Sequence, residues 1–184
     1  MKVIKLKEEK AWFNSWPKDM PKCVDYPKFS LNELLSRKAK ENPQGTALVC
    51  LDEEYSYQDL DNLSGRFAMA LSSLGVVKGD RMGLYLPNIP QFVIGYFGAL
   101  KAGAVVTSIS PMHREREVET QLCDSGANTL IALDSSAPII SAVKAKTGLK
   151  NIILTGINQF KPRFSGEELD SGKPGFHSFQ ELLR

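Results

Sequence analysis

Between Thr46 and Gly156 the chain alternates short apolar runs with segments of helical spacing, and this rhythm constrains the fold more than any other feature. The apolar runs are "TALVCL" (46–51), "RMGLYL" (81–86), "AVVTSI" (104–109), "NTLIAL" (128–133) and "NIILTG" (151–156), with a short "EYSY" (54–57) after an acidic turn. Runs of this length, rich in β-branched residues and bounded by turn residues, read as buried strands. Strands buried on both sides and joined by helical crossovers form a parallel sheet covered on both faces. The expected fold class is therefore α/β: a doubly wound, mostly parallel sheet with helices on both faces.

The helical segments carry their own punctuation. "SLNELLSRKAKENP" offers Ser30 as N-cap with Glu33 three residues on, and Leu31, Leu34 and Leu35 as an apolar face. Ser56 and Asp59 repeat the capping pattern ahead of Leu60, Leu63, Phe67, Ala70, Leu71 and Leu74, and Gly75 closes that helix. Asn88 is the expected N-cap of "IPQFVIGYFGALKAG", which is apolar nearly all round, as a buried helix is. "REREVETQLCDSG" and "SAPIISAVKAKTG" complete the set.

This rhythm divides the chain. Residues 1–28 hold Pro17, Pro21 and Pro27 among aromatics and read as an extended N-terminal arm, anchored by burial of the tryptophans and Tyr26. Residues 29–156 form the parallel α/β subdomain. Residues 157–184 read as a polar loop followed by the start of a capped helix, "FHSFQELLR", with Ser178 and Glu181 as its cap pair. That helix runs to Arg184 in mid-turn, so the polypeptide is expected to continue.

Composition removes several function classes. A net charge of +2 gives no electrostatic case for nucleic acid or an anionic membrane. Cys23, Cys50 and Cys123 lie far apart without a CxxC pair, which argues against a zinc site or a disulfide framework and for a reducing, cytoplasmic setting. The N-terminal lysines precede no apolar core, so no signal peptide is expected. The longest apolar stretch, Phe92–Leu100, falls short of the roughly 18 residues that span a bilayer, so no transmembrane segment is expected.

The search for chemistry yields no constellation. A phosphate site on such a sheet needs strand, glycine-rich turn and helix N-terminus, in that order. "ALKAGAVV" runs helix first and strand second, which makes Gly103 a left-handed helix end; Gly98 and Gly126 are read likewise as helix punctuation. "GVVKGDR" has the same polarity. "GEELDSGKPG" is not a Walker loop: its spacing is one residue too long, and Pro174 stands where a hydroxyl is needed. His113 sits among alternating Arg and Glu and is expected to face water; His177 has no motif around it. Cys123 falls beside Val118 and Leu122 and is expected to face the core. No catalytic, cofactor-binding or metal-binding residue is assigned.

Five segments nevertheless resemble one family. "YSYQDL" (Tyr55–Leu60) resembles the first core motif of the adenylate-forming (AMP-binding) superfamily, and "GVVKGDRMGLYLPN" (Gly75–Asn88) is similar to the segment after it. "LKAGAVV" (Leu100–Val106) looks like the second core motif. "REREVETQLCDSGANTLIAL" (Arg114–Leu133) is similar to the next helix and strand, where acyl-CoA ligases commonly read R-E-L-x-x-x-L-x-D-S-G-A. "WPKDMPKCVDYP" (Trp16–Pro27) resembles the leader of fatty-acid–CoA ligases.

That resemblance implies a parent that uses ATP and magnesium to turn a carboxylate into an acyl-adenylate, then passes the acyl group to coenzyme A. It also implies what the chain lacks: the S-G-T-T-G-x-P-K-G phosphate loop, the Tyr-Gly-x-Thr-Glu and Thr-Gly-Asp segments, the hinge and the C-terminal catalytic lysine. The motifs present are structural in the family. The chain is thus expected to be an inactive N-terminal fragment of a long- or medium-chain fatty-acid–CoA ligase, with no cofactor bound to the fragment itself. Its partner is expected to be the remainder of the same polypeptide, with self-association through exposed apolar surface. A short non-catalytic binding module, an aryl or short-chain acid–CoA ligase, and a flavodoxin-like nucleotide-binding protein are the alternatives.

Overall fold

A computed structural model describes residues 10–157 and 174–184. Its strands are β1 (Thr46–Cys50), β2 (Glu53–Ser56), β3 (Arg81–Tyr85), β4 (Val105–Ile109), β5 (Thr129–Leu133), β6 (Asn151–Thr155) and β7 (Phe176–Ser178). Its α-helices are α1 (Leu31–Glu41), α2 (Tyr57–Ser73), α3 (Pro90–Lys101), α4 (Glu115–Ser125) and α5 (Ala137–Lys144).

β1 and β2 form a separate antiparallel hairpin, turned by Leu51 and Asp52, both at positive φ. Such a two-residue turn matches the twist of the flanking strands, although leucine gains nothing sterically from the left-handed region. The other five strands make one parallel sheet in the order β4-β3-β5-β6-β7. The chain winds outward from β3 to β4, then back across to β5, so the winding direction reverses between β3 and β5.

Alternate side chains along each strand feed opposite layers, as the period of two demands. Met82 and Leu84 of β3, Ile131 of β5 and Ile153 of β6 join Phe67, Leu71, Ile94 and Phe179 in one core, under α2 and α3. Tyr85, Leu130, Ala132, Ile152 and Leu154 join Val118 and Leu122 of α4 with Ile140 and Val143 of α5 on the other side. The doubly wound α/β expectation is met: the interiors of the central strands β3, β5 and β6 are apolar because both faces are roofed, while edge strand β4 leaves Val105 and Ser108 exposed.

Local punctuation holds in part. Ser56 and Asp59 form a complete capping box at α2, with Asp59 N donating to Ser56 Oγ at 3.1 Å and Ser56 N donating to Asp59 Oδ2 at 3.0 Å. Gly103 and Gly126 follow their helices at positive φ, as expected. Ser30 caps α1 in conformation only. Its side chain makes no cap bond, and Glu33 instead receives Arg37 Nη2 at 2.8 Å, one turn further on. Asn88 is not the N-cap of α3. Pro90 takes the first helical position, where its missing N–H costs nothing, and pins Ile89 extended as the cap.

Three further expectations are corrected. No residue of the arm between Lys10 and Lys28 is buried; Trp12 is 58% and Tyr26 83% exposed. Its rings pack on one another instead, with Phe13 edge-on to Trp16 at 5.7 Å. "FHSFQELLR" is not a capped α-helix: Phe176–Ser178 is strand β7 against β6, and Glu181–Leu183 is a single 3-10 turn. Pairing with β6 outweighs the local helix signal. Gly98 does not end a helix. It lies inside α3 where a Cβ would stand 2.7 Å from Phe67 Cδ1 and 3.2 Å from the Ser64 carbonyl oxygen, so it lets α2 and α3 approach closely. The rejected "GEELDSGKPG" segment lies largely outside the described residues.

Candidate functional site

In an open parallel sheet, ligands collect beyond the carboxyl ends of the strands at the point where winding reverses. Here that point lies between β3 and β5 and is framed by the turns after Tyr85, Ile109, Leu133 and Thr155. Tyr85, 2% exposed, donates its hydroxyl to the His113 carbonyl oxygen at 2.6 Å and ties the first two turns together. Asp134 Oδ1 folds back onto Ser135 N at 2.6 Å, and Ser110 Oγ accepts from Met112 N at 3.3 Å. These side chains close their own loops.

Gln91, in the first turn of α3, is fully buried at this end. Its Nε2 donates to Thr155 Oγ1 at 3.2 Å and to the Gly156 carbonyl oxygen at 3.0 Å, which fastens α3 to the end of β6. Its Oε1 is buried with no hydrogen-bond partner. A glutamine within an otherwise apolar helix start was the available signal for this residue, and sequence reading passed over it.

The starts of α3 and α4 at this end do not offer an anion cradle. Pro90 has no N–H, and Phe92 N already donates to Ile89 O at 2.9 Å. At α4 the Glu117 carboxylate occupies the first turn and accepts from Arg114 N at 3.1 Å. Hydrogen bonds from its own and the Arg114 backbone N–H hold that carboxyl below the usual range. No group of three or more His, Cys, Asp or Glu side chains able to hold a metal exists among the described residues. These residues do not by themselves fit an adenosine phosphate, a magnesium ion or coenzyme A.

The singled-out residues scatter. His113 is half-buried, not turned wholly to water, and its Nδ1 is enclosed without a partner because the Tyr85 bond draws its backbone inward. His177 sits in the middle of edge strand β7 opposite Ile153, and burial lowers its pKa. Cys123 is exposed and does not face the core: Val118 and Leu122 take the inward stripe of α4, and the thiol reaches the Lys146 carbonyl oxygen at 3.4 Å. The structure brings none of the three together.

The best-defined polar cluster lies elsewhere, where three helices meet. Asp61 of α2 accepts from Ser36 Oγ of α1 at 2.7 Å and from Lys101 Nζ of α3 at 2.7 Å. Burial alone would raise the Asp61 pKa; the bonds from Lys101 and Ser36, with the Lys101 charge, outweigh it and hold the carboxyl below its usual value. Separations of 25 and 40 residues hid this cluster from sequence reading. It is a structural clamp, with Asp61 Oδ1 and the Asp61 carbonyl oxygen engaged by protein donors.

The fold and its strand-end crevice define a doubly wound α/β scaffold. The family model described as "AMP-binding enzyme" matches residues 35–179, and the chain belongs to that family. It is 36% identical to the long-chain-fatty-acid–CoA ligase of Salmonella typhimurium over 149 residues, covering 80% of this chain and 27% of that protein. It is 31% identical to the corresponding ligase of Haemophilus influenzae over 167 residues, covering 90% of this chain and 28% of that one. The fold matches the crystal structure of a long-chain-fatty-acid–CoA ligase from Archaeoglobus fulgidus with a TM-score of 0.72 and 23% identity, covering 87% of this chain and 30% of that one. The chain thus spans a little over a quarter of the length of these relatives.

Proposed function

We propose that this chain is the N-terminal scaffold part of a long-chain fatty-acid–CoA ligase that forms an acyl-adenylate from ATP and then a thioester with coenzyme A. The observation that carries this reading is the family match over residues 35–179 together with the Salmonella typhimurium and Haemophilus influenzae relatives, both named for this one activity. The reading places ATP, magnesium and coenzyme A on polypeptide beyond this part. The scaffold holds the sheet and its α2–α3 layer in place for that polypeptide. No helix among the described residues is long and apolar enough to cross a membrane. The setting proposed is cytoplasmic.

The test is ATP–pyrophosphate exchange and acyl-CoA formation with palmitate, octanoate and benzoate as acids. A polypeptide extended to the relatives' length should turn over palmitate, while residues 1–184 alone should show neither reaction. Exchange by residues 1–184 alone would refute that placement, and a preference of the extended protein for benzoate would refute the long-chain assignment.

A further inference from the structure

Gln91 places an amide in a helix start that is otherwise apolar. Between Pro90 and Leu100 no other side chain of α3 carries an amide or a charge. Gln91 is fully buried, and so is Thr155, the hydroxyl residue it meets at the end of β6. Both protons of its Nε2 are engaged, one by Thr155 Oγ1 at 3.2 Å and one by the Gly156 carbonyl oxygen at 3.0 Å. Its Oε1 is enclosed with no protein donor. Turning the amide over does not relieve this. Oε1 would then face the Gly156 carbonyl oxygen, acceptor against acceptor, and the NH2 group would be the one left unpaired. An amide oxygen cut off from both solvent and protein is costly, because it has given up its hydration and gained no bond in return.

We propose that Gln91 Oε1 holds a buried water molecule, and that this hydrated amide is the joint that sets where β6 leaves the sheet. Burial chooses the occupant. Gln91 and Thr155 are both 0% exposed, so a solute or another stretch of polypeptide could reach Oε1 only by prising α3 off β6. A single water needs no such opening. The surroundings suit it, because a water that donates to Oε1 needs a further polar partner and the Thr155 hydroxyl supplies one. That hydroxyl accepts from Gln91, while its own proton is loosely placed, with the Gly156 carbonyl oxygen at 3.5 Å. Thr155 Oγ1 is therefore able to donate to the water. Immobilising one water costs less than leaving a buried acceptor unpaired. The consequence lies at the strand exit. Gly156 has no side chain to anchor it, and the Gln91 bond to its carbonyl oxygen holds the chain against α3, one strand beyond the winding reversal. Neither the water nor the joint depends on the ligase reading.

A crystal structure of residues 1–184 fine enough to place waters tests this. It should show one water at about 2.8 Å from Gln91 Oε1 and within hydrogen-bond distance of Thr155 Oγ1. A dry Oε1, or a protein N–H bonded to it, would overturn the proposal. Gln91→Met keeps the length of the side chain and removes the amide. Its structure should lack the water while Thr155 stays in place; a water retained there would show that Oε1 does not hold it. The joint is read in solution by amide hydrogen exchange. In Gln91→Met the Thr155 amide should exchange at least about tenfold faster, while that of Ile131 in β5 keeps its rate. Unchanged exchange at Thr155 would remove Gln91 as the joint. Gln91→Asn, polar but too short to span to Gly156, takes the place of Gln91→Met if that variant does not fold, with the same result expected at Thr155. The structure of the unsubstituted chain decides the water in either case.

Discussion

Lys101 Nζ stands 2.7 Å from Asp61 Oδ1 and donates as well to the Asp61 carbonyl oxygen at 2.7 Å, so a single ammonium locks α3 to both the side chain and the backbone of α2. Ser36 brings α1 to the same carboxylate. The pair is largely shielded, with side chains 16% and 25% accessible. Its loss should lie between the cost of a surface ion pair and that of a buried one. Lys101→Met is expected to destabilise by about 1–3 kcal/mol in urea unfolding. Asp61→Asn in the Lys101→Met background should cost less than it does alone, and additive losses would show that the two are not coupled.

Acid should reveal the same carboxylate. The Asp61 pKa is lowered from 3.8 in the folded state, so the unfolded chain binds its proton first as pH falls. The stabilisation is full above the unfolded value and is lost as pH drops through the folded one. Asp61→Asn should therefore flatten the decline of Tm below about pH 4. A parallel decline in the variant would remove Asp61 from the account.

His177 should act in a separate window. Burial lowers its pKa from 6.5, so the unfolded chain takes up the proton first and stability falls as pH drops below that value. His177→Phe is expected to remove the slope of stability between about pH 6.5 and 5 while leaving the more acidic slope of Asp61 in place. A titration by NMR that finds the imidazole pKa above 6.5 would contradict this.

Two glycines on facing helices should respond oppositely to alanine. At Gly98 the new methyl meets Phe67 and the Ser64 backbone oxygen, which cannot give way without parting α2 from α3. Gly98→Ala is expected to cost about 1–3 kcal/mol by overpacking. At Gly65 of α2 a methyl would meet only the end of Lys101 at 3.9 Å. Gly65→Ala should stabilise by about 0.5–1 kcal/mol through backbone entropy alone. Equal signs in chemical denaturation would show that the α2–α3 approach is looser than described.

The two serine caps form another contrast. Ser56→Ala should cost about 1 kcal/mol, because its hydroxyl oxygen accepts from Asp59 N. Ser30→Ala should change stability by less than about 0.5 kcal/mol, because Ser30 makes no side-chain cap bond. Comparable losses at both sites would mean that the Ser30 cap forms in solution.

The sequence by itself determined the layer architecture. Runs such as "RMGLYL" and "NTLIAL" are apolar on both strand faces, and only a parallel sheet roofed on both sides uses such strands. It also determined those helix ends whose chemistry is local, such as Ser56–Asp59 and Gly126, and the family, through five segments in register. What it left open depends on contacts distant along the chain. Ser30–Glu33 and Ser56–Asp59 look alike as patterns, yet Arg37 draws Glu33 away from its cap. "FHSFQELLR" carries a helix signal that pairing with β6 overrides. Cys123 lies beside apolar positions in the sequence but off the inward stripe of α4. Gly98 looks like punctuation until Phe67 is placed against it. Only the tertiary structure decided these, because local propensities amount to a few tenths of a kcal/mol to about one per residue, while burying a side chain or pairing a strand is worth more. It alone revealed the Asp61–Lys101 clamp, which joins residues that no sequence spacing relates.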